Sequence, residues 1–308
     1  MDITIIINKM IQLFLVLALG YLLQKIGQMD KSFNKKLTSL LLNVTTPAMI
    51  LHAVLSTEEG AYEYQVGMAF VVGIAYFIVI PLIGWLIAQV LRVHKPQQGA
   101  YIFMTTFGNV GFMGFPVINA IFGSGAMLYA AIFNMLFNLF AFTIGARMML
   151  YGTGQKTEMN LKHLLTPGML SSLLALLLFF LKLPFPAIIV DTFDMVGSLT
   201  TPTAMLVIGS TLATIPLKEV FGEFRIYPYA LLKQIILPVL LFPLLRLLIA
   251  DELLRGVLLI LIAMPVANLA VLFSTEYGGD EKLTAKAIFL TTLLSVCTIP
   301  LLVYWLLV

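Results

Sequence analysis

The chain has 308 residues, of which 60% are hydrophobic and 11% charged, and its formal net charge is +3. A soluble domain carries about 25% charged and about 45–50% apolar residues, so this chain has too little charge to solvate the surface of a large soluble core. The small positive excess, with no basic aromatic face, points to no nucleic-acid partner. Cys297 is the only cysteine, which excludes an internal disulfide and a cysteine-based metal site.

Apolar stretches of about 20 residues, the length that crosses a hydrocarbon core of about 30 Å, recur from end to end. Runs such as Leu173–Leu181 and Leu258–Ala263 lack the period-two alternation of barrel strands. The backbone must therefore satisfy its hydrogen bonds within each segment, as helix. In chain order the expected spans are 3–23, 37–56, 66–91, 100–122, 125–150, 164–182, 188–214, 226–250, 255–274 and 284–307. Connections are short, as between antiparallel neighbours. Met1 and Asp2 lack the basic start of a cleaved signal, so the first run is read as a retained span. Cys297 falls within the last run, where a small buried hydrophobe is expected.

Lysine and arginine set the orientation. Most of the 18 basic residues fall in alternate connections: Lys25, Lys31, Lys35 and Lys36; Arg92 and Lys95; Arg147, Lys156 and Lys162; Lys218 and Arg225; Lys282 and Lys286. The opposite side holds Lys9, Lys182, Arg246 and Arg255 and an acidic connection with Glu58, Glu59 and Glu63. Both termini are therefore expected outside and the charge-rich loops in the cytoplasm. An even span count then divides into two halves of five, residues 1–152 and 153–308, the second entering from the opposite face. Short matches support a duplication: Thr45-Thr46-Pro47 with Ala48-Met49 against Thr200-Thr201-Pro202 with Ala204-Met205, and Pro116-Val117-Ile118-Asn119 against Pro265-Val266-Ala267-Asn268. Inverted repeats with helices interrupted at corresponding places point to a transporter's binding site.

The fourth span reads Gly108-Asn109-Val110-Gly111-Phe112-Met113-Gly114-Phe115-Pro116. Glycine costs about 1 kcal/mol and proline about 3 kcal/mol in a helix interior, and unwound backbone at membrane depth survives only where it is buried or lines a cavity. Its freed amides and carbonyls, with Asn109, suit a polar solute, and a half-helix N-terminus favours an anion; close packing through small residues is the alternative. Pro265 kinks or breaks the ninth span, and Asn268 places an amide beside it. Interhelical hydrogen bonding would explain Asn268 equally well. Asn43, Thr46 and Thr201 flank the prolines of spans two and seven, where hydroxyls often satisfy kinked backbone. Lys233, with Gln234 beside it in span eight, either snorkels to the cytoplasmic surface or faces inward as a fixed cation. His52 lies near the outer end of span two, as an interfacial polar residue or a proton-coupling group; His94 and His163 fall in loops. Spans two, four, seven and nine are read as free of membrane-buried carboxylates, which a cation pump normally needs. G-x-x-x-x-G-K-[ST], H-E-x-x-H and G-x-S-x-G are absent, so no ATP hydrolysis and no hydrolase chemistry is expected.

Along its whole length the chain resembles the auxin efflux carrier family in its bacterial branch. The resemblance rests on Gly108, Asn109, Gly111, Gly114 and Pro116, on Ala263 and Pro265, and on Glu276-Tyr277-Gly278 with Asp280. It implies an all-α integral membrane fold of ten helices in two inverted repeats, broken helices four and nine crossing at the substrate site, and an elevator-type cycle of a scaffold and a moving part. In plant members the asparagine matching Asn109 meets the substrate carboxylate; they often carry proline where this chain has Gly108. Bacterial relatives imply malate, malonate and similar acids in the inner membrane. The expectation is thus a secondary transporter of small mono- or dicarboxylates. Asn109, Gly108, Gly111 and Pro116 meet Pro265 and Asn268, Asn43, Thr46 and Thr201 line the sides, and Lys233 is a candidate cation. No cofactor or metal is expected. H+ or Na+ as coupling ion, and a homodimer as the assembly, stay open. The rival is a sodium-coupled carrier of the bile-acid symporter type; a lipid-modifying membrane enzyme and a sensor lack their required groups.

Overall fold

The computed structural model describes residues 3–56, 63–154, 166–183, 185–214, 224–277 and 279–307. Glu58, Glu59, Lys156, Lys162, His163, Lys218 and Gly278 lie outside the described residues, as does the Glu63 side chain.

All regular structure among the described residues is helical. In chain order the helices are α1 (Ile3–Lys25), α2 (Lys31–Leu40), α3 (Thr46–Leu55), α4 (Glu63–Val90), α5 (Lys95–Thr106), α6 (Phe115–Phe122), α7 (Met127–Phe140) and α8 (Ala146–Met149). Then come α9 (Pro167–Leu181), α10 (Ala187–Ser198), α11 (Thr200–Thr214), α12 (Ile226–Leu231), α13 (Leu237–Leu248), α14 (Glu252–Ala263), α15 (Leu269–Tyr277) and α16 (Glu281–Leu306). Single π-helical turns join α2 to α3 (Leu41–Thr45), α7 to α8 (Ala141–Gly145) and α12 to α13 (Leu232–Ile236), and another, Val110–Gly114, precedes α6. Six continuous helical stretches among the described residues are long and apolar enough to cross a membrane: Lys31–Leu55, Gln65–Val90, Ser124–Met149, Ala187–Thr214, Ile226–Leu248 and Glu281–Leu306. The protein is a multi-pass membrane protein. The helices fall on the apolar segments read from the sequence, because burial of backbone polar groups in lipid leaves helix as the local solution.

Two compact units are present, each discontinuous in sequence. The first comprises Met1–Ala69, Gly111–Met135 and Leu165–Ile215; the second comprises Phe70–Val110, Leu136–Leu164 and Pro216–Val308. Both draw on each half of the chain.

In the first unit α1 packs along α11 through small residues. A β-carbon on Gly20 would meet the Leu206 carbonyl, and one on Gly209 the Leu17 carbonyl, so the two backbones touch as closely as glycine allows. Leu15, Leu19 and Leu22 recur at helical spacing on the other side of α1 and are exposed, as expected of a lipid-facing stripe. Where α1, α2 and α11 meet, Asn34 Nδ2 donates to Ser210 Oγ (2.7 Å), which donates to Gln24 Oε1 (2.7 Å). His52 Nδ1 lies 3.3 Å from Asp194 Oδ1. Asp194 and Asp191 belong to α10, inside the segment read as span seven, and both are exposed; that span is not carboxylate-free, although its carboxylates sit on the surface.

In the second unit α5 packs against α8 and α15, with the Phe103 ring tilted against those of Phe107 and Phe273 at centroid distances of 4.6 and 4.9 Å. Asp280 caps α16 by accepting from the Leu283 amide at 3.0 Å and also accepts from Gln97 Nε2 at 2.9 Å. Cys297 corrects an expectation: it is exposed on α16, not buried. Lipid is as apolar as the protein interior, so an apolar run does not say which face packs.

Candidate functional site

The second unit contains two interrupted helices, and the interruptions pair with each other. α5 stops at Thr106, because glycine at 108 weakens the helix and the chain leaves the helical region at Phe107 (φ −104°, ψ 87°). α14 stops at Ala263, because Pro265 has no amide and pushes Met264 out of the helical region (φ −56°, ψ 144°). The two extended stretches run antiparallel, with Gly108 opposite Val266 as an isolated bridge. The Asn109 amide donates to the Pro265 carbonyl at 2.8 Å, and the Ala267 amide donates to the Phe107 carbonyl at 3.1 Å. Each break thereby satisfies the other's backbone at a depth where water is excluded. The approach at Gly108 is close: a β-carbon there would lie 3.2 Å from Met264 Cβ and 3.3 Å from the Leu261 carbonyl, so both would have to give way. Gly111 has no atom within 4 Å of the corresponding position.

Helix C-termini leave carbonyls without amide partners, and each broken helix has one capped by a side chain. At the end of α5, Tyr76 of α4 donates its hydroxyl to the Thr106 carbonyl at 3.0 Å. Beyond the end of α14, Lys233 donates from Nζ to the Met264 carbonyl at 2.6 Å. Lys233 is fully buried, so it faces inward and does not snorkel. No carboxylate pairs with it among the described residues; its compensation is the carbonyl and the negative end of the α14 dipole. Lys233 and Gln234 belong to the π-helical turn Leu232–Ile236, where the extra residue changes which side chains face the packed side.

A third support comes from α16. Thr291 Oγ1 accepts from the Val266 amide at 3.1 Å while donating to the Ala287 carbonyl at 2.7 Å. Gln234 Nε2 donates to the Thr291 carbonyl at 2.8 Å, and Gln234 Oε1 is buried without a partner among the described residues. Asn109 is buried. Asn268 is half-buried at the start of α15, and its amide and that of Leu269 have no backbone acceptor among the described residues. The site thus gathers one ammonium, two amide side chains and the free first amides of a half-helix. This chemistry favours a carboxylate over a cation.

Of the sequence-derived candidates, Gly108, Asn109, Lys233, Pro265 and Asn268 share this unit. Gly111, Pro116, Asn43, Thr46 and Thr201 belong to the other. There Asn43 is exposed and bonds within its own helix to Ser39 Oγ at 2.9 Å. Thr46 and Thr200 are buried, with hydroxyls that lack a partner among the described residues. Pro116 and Thr201 line a cavity of about 370 Å³. The matched tetrapeptides at 116 and 265 occupy different settings: Pro265 sits in the paired break, whereas Pro116 sits in the first turn of α6. Tyr76 and Thr291 escaped the sequence reading, since nothing local marks a tyrosine or threonine in an apolar run as a partner of distant backbone.

The chain belongs to the membrane transport protein family, that of the auxin efflux carriers, whose sequence pattern matches residues 5–303. It is a transporter and not an enzyme. Over 310 residues it is 27% identical to an uncharacterized transporter of Methanocaldococcus jannaschii, covering 98% of this chain and 97% of that one. Over 301 residues it is 26% identical to a Rhizobium meliloti protein named "Putative malonate transporter", covering 94% and 92%. A third relative, an uncharacterized transporter of Methanothermobacter thermautotrophicus, is 22% identical over 305 residues, covering 96% of each chain.

Proposed function

We propose that this protein is a secondary transporter of small organic anions, mono- or dicarboxylates of the malonate type, working by elevator-type alternating access. The observation that carries the reading is the antiparallel pairing of the two helix breaks at Gly108 and Val266. That pairing builds a rigid polar point inside an apolar unit and keeps Asn109 and Asn268 beside it. A carboxylate is held there by the Asn109 side-chain amide and the first backbone amides of α15, with Lys233 supplying positive potential through the Met264 carbonyl it caps. Ten spans in two inverted repeats, 1–152 and 153–308, with both termini outside the plasma membrane, are consistent with the loop charges. The division into two compact units supports a scaffold and a moving part.

The test is uptake of radiolabelled malonate by proteoliposomes. Asn109→Ala should abolish it while the purified variant keeps its helical circular dichroism and monodisperse elution; uptake at the wild-type rate would sink the assignment. The same assay with potassium replacing sodium separates this reading from a sodium-coupled carrier, which would lose uptake. A proton gradient applied across the vesicles then identifies proton coupling.

A further inference from the structure

The cavity in the first unit is lined by Pro116 and Thr201, expected at the substrate site, together with polar side chains that the paired breaks do not use. It lies where α1, α6 and α11 approach one another, and about 370 Å³ falls within the range of small-molecule sites, roughly 300–1,000 Å³. Its polar lining consists of Lys9, Gln12, Asn119, Ser198 and Thr201, with no carboxylate among its residues. These side chains form a gradient. Lys9, Gln12 and Ser198 are exposed at the mouth, Asn119 and Thr201 are half-buried, and Met205 at the base is fully buried. One ammonium, two amides and two hydroxyls all offer hydrogen-bond donors, and only the ammonium carries charge. An anion entering this cavity meets donors on every polar side and no competing negative charge. A cation meets a repelling lysine and neutral acceptors only. The apolar base suits a short hydrocarbon body behind a carboxylate.

We infer that this cavity is a second anion-binding site, separate from the paired helix breaks, that receives a small carboxylate on the outer side of the membrane. Lys9 and Asn119 bind its charged end. The inference rests on the transport reading for its ligand class and on the loop charges for its outward position. A charged partner strengthens a hydrogen bond relative to a neutral one, so Lys9 dominates the affinity. Its exposure makes that contribution sensitive to salt.

Binding is read by chemical protection, which needs no transport. In a Cys297→Ser background, Ser198→Cys places one thiol at the mouth of the cavity. The full chain is reconstituted in nanodiscs of neutral phosphatidylcholine, which leave both faces accessible, and the rate of maleimide labelling is followed. Malonate should slow labelling by about fivefold or more, its uncharged diamide should not, and Lys9→Gln should remove the protection, as expected for a charge-assisted contact. Protection should persist with Asn109→Ala, which removes the side-chain amide beside the paired breaks. An absence of protection, protection that survives Lys9→Gln, or protection that disappears with Asn109→Ala would each overturn the inference. If phosphatidylglycerol in the nanodisc slows labelling and malonate does not, the cavity takes a lipid headgroup and the inference also fails. If the wild-type protein shows protection by malonate but takes up no malonate in proteoliposomes, the transport reading alone is overturned.

Discussion

Thr291→Val removes one hydroxyl from α16 and leaves the side-chain volume and branching in place. Thr291 Oγ1 is the acceptor for the Val266 amide, and both residues are fully buried. The Ala287 carbonyl to which the hydroxyl donates keeps its own helical partner, so the loss falls on Val266. Val266 cannot turn to another acceptor, because its neighbours are fixed by the bonds from Asn109 to Pro265 and from Ala267 to Phe107. A buried donor left unsatisfied costs about 1–3 kcal/mol, which makes local opening of the paired breaks about five- to 150-fold more frequent at about 1.4 kcal/mol per tenfold. Hydrogen–deuterium exchange of the protein in nanodiscs, followed by mass spectrometry of a peptide covering 264–268, measures that opening directly. The expected result is faster exchange by that factor in Thr291→Val and near wild-type exchange in Thr291→Ser, which keeps the hydroxyl. Exchange in Thr291→Val that matched wild type would refute the reasoning, since the hydroxyl would then not be what satisfies Val266.

Gly108→Ala should cost about 1–3 kcal/mol, as small-to-large changes in packed sites do, because its β-carbon meets Met264 and the Leu261 carbonyl. Gly111→Ala, with open space around it, should leave thermal stability at or slightly above wild type; equal losses in both variants would remove the close approach as the cause. Lys233→Met should fold, because replacing a buried charge with apolar volume offsets much of the lost hydrogen bond to Met264. Malonate uptake should still fall about tenfold or more as the fixed charge disappears, one decade per about 1.4 kcal/mol. Wild-type uptake in that variant would show that the lysine only caps α14.

The helices and the two interruptions were legible because they depend on local chemistry. Gly108 and Pro265 weaken or forbid helix wherever they stand, and the apolar lengths leave helix as the backbone's solution. What the interruptions bond to was not legible. Tyr76, Lys233 and Thr291 reach carbonyls and an amide 30, 31 and 25 residues away in sequence, and their helices are apolar on both packed and lipid-facing sides. Neither the inward choice of Lys233 nor the outward choice of Cys297 leaves a mark in composition. The first depends on a single π-helical turn, and the second on which face of α16 meets its neighbours. The repeated Pro-Val-x-Asn tetrapeptide does not carry a shared local geometry: similar residues at 116 and 265 stand in unlike surroundings. Both copies of the Thr-Thr-Pro pair open a helix with proline in its first turn, α3 and α11.

The pairing of the two breaks also sets a grammar for proline. Its two bonds use the amides of Asn109 and Ala267 and the carbonyls of Phe107 and Pro265; the amides of residues 108 and 265 take no part. An imino acid at residue 265 leaves both bonds intact, so this chain carries Pro265 without loss, whereas at residue 108 the resistance to proline comes from its β-carbon and not from the missing amide. The motif is therefore spelled in the main chain. Side chains enter only from outside the pairing, through Tyr76, Lys233 and Thr291, which satisfy the carbonyls and the amide that the two bonds leave over.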